Sequence, residues 1–143
     1  KAFEYWRIFA KYSPWFPVGK IVKMGCARNL SKSAMEAYDA PFPQSRYKIG
    51  ARKFPSLVPI NASDSESKNN YEAFKKLTLW KKPFLTLFGD QDPITRGAEK
   101  IFQKAIPGCE GQKHRIIKNA GHFIQEDQSE KLSELIIEFI KQN

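Results

Sequence analysis

The stretch FLTLFGDQDPITRG, residues 84–97, decides how this chain is read. Together with Lys82-Pro83 it opens as a continuous apolar run bounded by Pro83 and Gly89. That pattern predicts a strand buried on both faces of a parallel sheet. The run leads straight into Asp90 and Asp92. In open α/β sheets, functional side chains collect on the loops beyond the carboxyl ends of strands. A second short strand is expected in KHRIIK, residues 113–118, and it leads into NAGHFIQED, residues 119–127, where His122 follows Gly121. Adjacent strands lie about 4.8 Å apart, so a carboxylate on the first loop reaches an imidazole on the second. An acid so placed fixes the imidazole tautomer and leaves the other ring nitrogen to act as a base.

Working outward, Thr95 or Asp92 is expected to cap a helix in RGAEKIFQKAI, closed by Pro107-Gly108. Asp127 and Glu130 have capping-box spacing. They open a helix in which Leu132, Leu135, Ile136, Phe139 and Ile140 repeat at helical spacing. Residues 81–143 therefore spell strand–helix–strand–helix, an α/β half-unit. A parallel pair of strands wants both faces covered, so the sequence asks for more sheet than it contains.

Residues 1–80 read as helices broken by proline. Phe3, Trp6, Phe9 and Ala10 share a helix face up to Ser13-Pro14. VGKIVKMGCA forms a second helix, broken near Gly25. Ser31 or Ser33 caps a third, which stops before Pro41. SRYKIGARKFPSLVP is a fourth, ended by Pro55. NASDSESKNN, residues 61–70, is a polar linker, and YEAFKKLTLW is a further helix. The expected segments are a helical region over 1–60, a linker and return helix over 61–80, and the α/β part over 81–143.

The chain has 143 residues, 41% hydrophobic and 27% charged, ordinary values for one soluble domain. No apolar run is long enough to span a membrane. The opening KAFEYWRIFAKY reads as the inside of a helix and not as a natural start, and it carries no signal peptide. Cys26 and Cys109 lack disulfide or metal spacing, which fits a reducing compartment, the cytoplasm. The formal net charge is +9. Its Lys and Arg residues are scattered, without a zinc-finger or RNA-binding signature, so a solvated basic surface is expected and no nucleic acid. His114 reads as a surface residue. Two histidines without HxxxH or cysteine partners offer no metal site.

Hydrolases of the α/β class order their relay as nucleophile, acid, histidine, with the nucleophile on a tight glycine-flanked turn. No two glycines here lie four apart, so the nucleophile is expected upstream of residue 1. With acid, histidine and flanking motifs in view, the chain resembles the C-terminal half of a haloalkane dehalogenase. The likeness runs through AFEYW, PVGKIV, AYDAPFPQSRYKIGARKFPSLVPI, KPFLTLFGDQDPITRG and NAGHFIQED. The long middle stretch is its most specific part, because it matches the helical cap of that family.

The resemblance implies the C-terminal part of an α/β-hydrolase fold preceded by a helical cap. It implies a carboxylate nucleophile that displaces halide to give an alkyl-enzyme ester, which histidine-activated water then hydrolyses. By position Asp92 matches the acid, Asp90 does not, and His122 matches the base. Trp6 matches the cap residue whose ring N–H holds the leaving halide, and Phe3 matches an apolar wall residue. Read alone, Trp6 is a packing residue, as Trp15 and Trp80 remain. The implied partners are a small halogenated substrate, water and the N-terminal half of the same fold, with no cofactor. This chain alone is expected to be inactive. An epoxide hydrolase using Tyr5, Tyr12, Tyr38 or Tyr47 is the runner-up, and a non-catalytic binding module built from a truncated hydrolase is the alternative of another class.

Overall fold

Three aromatic rings and one arginine organise the first part of the chain. In the computed structural model, which describes residues 2–143, helix α1 (Ala2–Tyr12) forms where the aromatic spacing predicts it. Lys1, the first residue of that expected helix, lies outside the described residues. Trp6, Phe9 and Phe16 pack together with centroids 5.6–6.0 Å apart, and Ala10 and Phe16 are buried. Helix α2 (Val18–Gly25) approaches α3 (Lys32–Asp39) closely at Gly19, where a Cβ would lie 2.3 Å from the Met35 carbonyl oxygen. Ser31 caps α3 by accepting from the Ala34 N–H at 3.1 Å.

A 3₁₀ turn (Ser45–Lys48) leads into α4 (Ile49–Leu57), which packs against α1. The Arg52 guanidinium donates to the Ala10 and Ser13 carbonyls at 3.2 and 2.7 Å and sits over the Phe16 ring. Such donors occupy carbonyls that the end of α1 leaves without intrahelical partners. Pro55 does not end this helix as expected. It lies inside α4 with its ring buried, and the helix runs only two residues past it; the burial offsets the missing N–H bond. Helix α5 (Ser67–Leu77) also begins inside the expected linker. Asp64 gathers the Ile60 and Asn61 N–H groups at 2.7 and 3.0 Å, and Ser67 Oγ donates to the Asn61 carbonyl at 2.5 Å. That turn orders the residues before α5.

The second part contains strands β1 (Leu87–Gly89) and β2 (Arg115–Ile117), parallel, with Leu87 opposite Arg115 and Gly89 opposite Ile117. Helix α6 (Ala98–Ala105) connects them, and α7 (Ile124–Asp127) and α8 (Ser129–Gln142) follow. The expected strand–helix–strand–helix order is present, but both strands are shorter than the apolar runs. The reason lies in the hydrogen bonds. The Phe84 N–H goes to the Gly108 carbonyl at 2.9 Å, and the Thr86 N–H goes to the His114 ring at 3.1 Å. Neither joins a ladder. Burial on both faces is also incomplete, since Leu87 and Phe88 are half-buried and Ile116 is exposed. In α8, Leu132, Leu135 and Phe139 are half-buried, whereas Ile136 and Ile140 are exposed.

The chain divides into two compact units. One takes the chain up to Ile21 together with Ser31–Ala73, and the other takes Val22–Leu30 together with Phe74–Asn143. These units cut across the expected 1–60 segment, because residues after α2 are fastened within the second unit. Val22, Leu30, Ile106, Cys109, Ile117 and Ala120 are the buried apolar residues of that unit.

Candidate functional site

Asp92 stands in the loop that follows β1 and is almost wholly buried, at 4% exposure. A buried carboxylate is costly unless several donors satisfy it. Its own turn supplies them. The Ile94 N–H donates to Oδ1 at 2.8 Å, the Thr95 N–H at 3.3 Å, and the Thr95 hydroxyl donates to Oδ2. Burial pushes the acid upward, yet these donors and the His122 ring outweigh it and hold Asp92 below the ordinary carboxylate range. Asp92 is thus occupied within its loop and does not cap α6. Gly97 stands at that N-cap in the left-handed region, with φ 94° and no side-chain capping bond.

His122 stands in the loop that follows β2, and its Nδ1 lies 3.2 Å from Asp92 Oδ2. The ring is partly exposed, and its edge meets Phe123 with centroids 5.3 Å apart. Asp92 bears no hydrogen at ordinary pH, so Nδ1 carries the proton of this bond, and in the neutral ring the lone pair lies on Nε2. The backbone explains why these loops come together. The Asp90 N–H donates to the Ile117 carbonyl and the Gln91 N–H to the Ala120 carbonyl, at 3.0 and 2.9 Å. Gly89 has no room for a side chain, since a Cβ there would lie 2.3 Å from the Ala120 carbonyl oxygen.

Asp90 is the acid that does not meet the histidine. It accepts from the Ala120 N–H at 3.3 Å and pairs with Lys118 at 3.8 Å, so it fastens the end of β2. His114 is not the surface residue expected. The Thr86 N–H and hydroxyl lie against its Nδ1 at 3.1 and 3.0 Å, and its Nε2 lies 2.9 Å from the Cys109 carbonyl. Gln103 adds a bond to the Thr86 hydroxyl at 2.7 Å. His114 is a brace of the sheet edge.

Asp127 departs furthest from its sequence reading. It does not form a capping box, because Gln128 occupies the N-cap of α8 without a side-chain capping bond. Asp127 is instead buried, at 5% exposure. It accepts three backbone N–H groups: Ala27 and Gly121 at 2.8 Å and Arg28 at 3.0 Å. Burial pushes its pKa up, but the three N–H donors together with the Arg28 charge outweigh that and hold it below the usual range. The sequence signal was an acidic residue inside a partly apolar run after the histidine, but nothing in it named partners a hundred residues away.

Trp6 and Phe3 lie one turn apart on α1 in the first unit, both half-buried. Trp6 stacks on Phe9 and lies tilted against Phe16, and among the described residues no acceptor engages its indole N–H. Trp15 and Trp80 are more exposed than packing residues, each lying beneath a lysine, Lys20 and Lys82. Among the described residues no cluster of His, Cys, Asp and Glu is arranged to hold a metal, and no helix is long and apolar enough to cross a membrane.

Comparison with known proteins places the chain as a whole. The chain is 48% identical over 143 residues to the haloalkane dehalogenase of Psychrobacter cryohalolentis, covering 100% of this chain and 47% of that protein. It is 48% identical over 136 residues to the haloalkane dehalogenase of Mycolicibacterium paratuberculosis, covering 95% of this chain and 45% of the relative. Among solved structures, the tetrameric haloalkane dehalogenase DpaA of Paraglaciecola agarilytica NO2 matches 96% of this chain and 45% of its own, with TM-score 0.80 and 28% identity. No protein-family model matches the chain. The chain thus spans slightly under half the length of the curated relatives it matches, and it corresponds to their C-terminal half. Its fold is the C-terminal part of an α/β-hydrolase.

Proposed function

We propose, from the premise that this chain is the counterpart of the C-terminal half of haloalkane dehalogenases, that it is the acid- and base-bearing half of a hydrolase acting on carbon–halogen bonds. The observation that carries the reading is the 3.2 Å approach of Asp92 Oδ2 to His122 Nδ1 at the ends of neighbouring parallel strands. Residues 1–60 are assigned to the helical cap, 61–80 to the linker and return helix, and 81–143 to the core. The assignment to the cytoplasm is supported by two free thiols, Cys26 and Cys109.

The proposed chemistry has two steps. A carboxylate in the remainder of the enzyme attacks the halogen-bearing carbon. A carbon–oxygen bond forms as the carbon–halogen bond breaks, and halide leaves with the electron pair. The Trp6 indole N–H, a donor with no acceptor lone pair, is assigned to the departing halide, and Phe3 to the apolar wall. His122 Nε2 then takes a proton from water, whose oxygen attacks the ester carbonyl. The acyl–oxygen bond breaks, and the alcohol leaves with the proton that the imidazolium returns. Asp92 holds the ring and stabilises its charged form. The net change is haloalkane plus water to alcohol, halide and a proton.

Only the second step needs the base. In the complete enzyme, His122→Ala is expected to release one halide per site from a bromoalkane and then stop. Repeated turnover by that variant would refute the role of His122. Diol formation from an epoxide without halide release would favour the runner-up. The 143-residue chain alone is expected to turn over no haloalkane, and turnover would overturn the assignment of the nucleophile to the other half.

A further inference from the structure

The histidine loop is tied down at a place the proposed chemistry does not use. Gly121 N–H donates to Asp127 Oδ2 at 2.8 Å, and the same oxygen accepts from Ala27 N–H at 2.8 Å. The other oxygen accepts from Arg28 N–H at 3.0 Å. In the opposite sense, the Gly25 carbonyl accepts from His122 N–H at 2.7 Å and from Phe123 N–H at 3.4 Å. The amides of 122 and 123 are therefore fixed to Gly25 directly, and that of 121 reaches the Ala27–Arg28 amides through the Asp127 carboxylate. Gly121 has no side-chain space, since a Cβ would lie 2.5 Å from the Gly25 carbonyl oxygen and 2.8 Å from the Ala27 nitrogen. The His122 ring itself has 34% of its side-chain surface open and bonds to Asp92 through Nδ1. A ring so exposed takes its position from its backbone as well as from Asp92.

We propose that Asp127 is a positioning residue for His122: its buried carboxylate locks the Gly121–Phe123 backbone to the Gly25–Arg28 segment and thereby aims the imidazole at the water of the hydrolytic step. The proposal rests on the reading of His122 as the base. Asp92 is held by its own turn, so loss of Asp127 leaves the acid in place while the base drifts. A carboxylate accepts at both oxygens; the amide of asparagine puts two N–H donors where one of those oxygens stood, facing a backbone N–H. A displacement of about 1 Å in a reacting group can cost on the order of a hundredfold in rate.

The test is a rapid-mixing experiment on the complete enzyme with a bromoalkane, comparing wild type, Asp127→Asn and Asp127→Ser. Burst amplitude counts the folded, alkylation-competent sites, so partial unfolding drops out when the steady-state rate is divided by it. We expect a burst rate close to wild type and a hydrolysis rate per site reduced about ten- to a hundredfold. A merely structural role would lower the amplitude and leave that per-site rate unchanged, which overturns the proposal. Loss of the burst in both variants also overturns it, because the effect would no longer be confined to the histidine's step. The underlying reading fails separately: if His122→Ala shows no burst followed by arrest, the base assignment is wrong whatever Asp127 does.

Discussion

Asp92 draws backbone donors from residues two and three places along the chain, whereas the loop bearing His122 is fastened by Asp127 to a segment a hundred residues away. The acid loop is a self-contained turn, and Asp-Pro-Ile-Thr carries most of what it needs. The histidine loop depends on a distant segment as well; its amides go to the Gly25 carbonyl and to Asp127, which in turn holds the Ala27 and Arg28 amides. The backbones of the two loops therefore have independent supports. A relay built this way can be dismantled one partner at a time.

The largest effect is expected from His122→Ala, which removes the proposed base outright. Steady-state turnover should fall by at least about 10²–10⁴, the usual contribution of general-base catalysis, with the first halide still released. Halide release followed in time checks both parts. Asp92→Ala comes next, with a loss in the same direction, because the imidazole loses its orienting partner. It also strands the Ile94 and Thr95 donors, so its thermal midpoint should fall while that of His122→Ala stays near wild type. Equal midpoints would mean that the acid loop does not depend on its own aspartate.

Gly121→Ala attacks the other loop. Its Cβ would meet three backbone atoms of the Gly25–Ala27 segment, and backbone gives way only by moving the loop. Overpacking of this kind costs about 1–3 kcal/mol, readable by denaturant unfolding of the complete enzyme. Hydrolysis per burst site should fall along with it.

The smallest expected effect is that of acid. Asp92 and Asp127 both sit below their ordinary values in the folded protein. A carboxylate lowered on folding contributes stability that is fully present above its unfolded value of about 3.9 and is lost as pH falls through the folded value. Both loops should therefore hold near neutrality and weaken only in acid below about pH 4. Asp127→Asn should remove part of that dependence, as followed by unfolding midpoints against pH. Breaking the exposed Lys113–Glu138 pair, 2.7 Å apart at the surface, should alter the profile less, because solvent screens the Lys113 contact that lowers the Glu138 pKa.

What could be read from sequence follows the same division between local and distant support. The order of β1, α6, β2 and α8 was legible because apolar runs and helical repeats are local signals. The meeting of a carboxylate of the first loop with His122 was legible because strand spacing brings consecutive strand ends together, and the choice of Asp92 over Asp90 came from the resemblance. The Ser31 cap was legible for the same reason, its partner Ala34 being three residues on. Asp127 was misread because its spacing to Glu130 imitates a cap, while its actual partners lie in another segment. His114 was misread because a histidine at a strand's start gives no sign that it will take the Thr86 N–H and shorten the ladder. Pro55 was read as a terminator because sequence shows the missing N–H and hides the burial of the ring.

The pairing of an acid and a base at neighbouring strand ends is tested most directly by intact-mass analysis of the complete His122→Ala enzyme after exposure to a bromoalkane. The account predicts a stable adduct of one alkyl group per site, carried on the half outside these 143 residues, with one bromide released for each adduct. An unmodified protein that has nevertheless released many equivalents of bromide would contradict it.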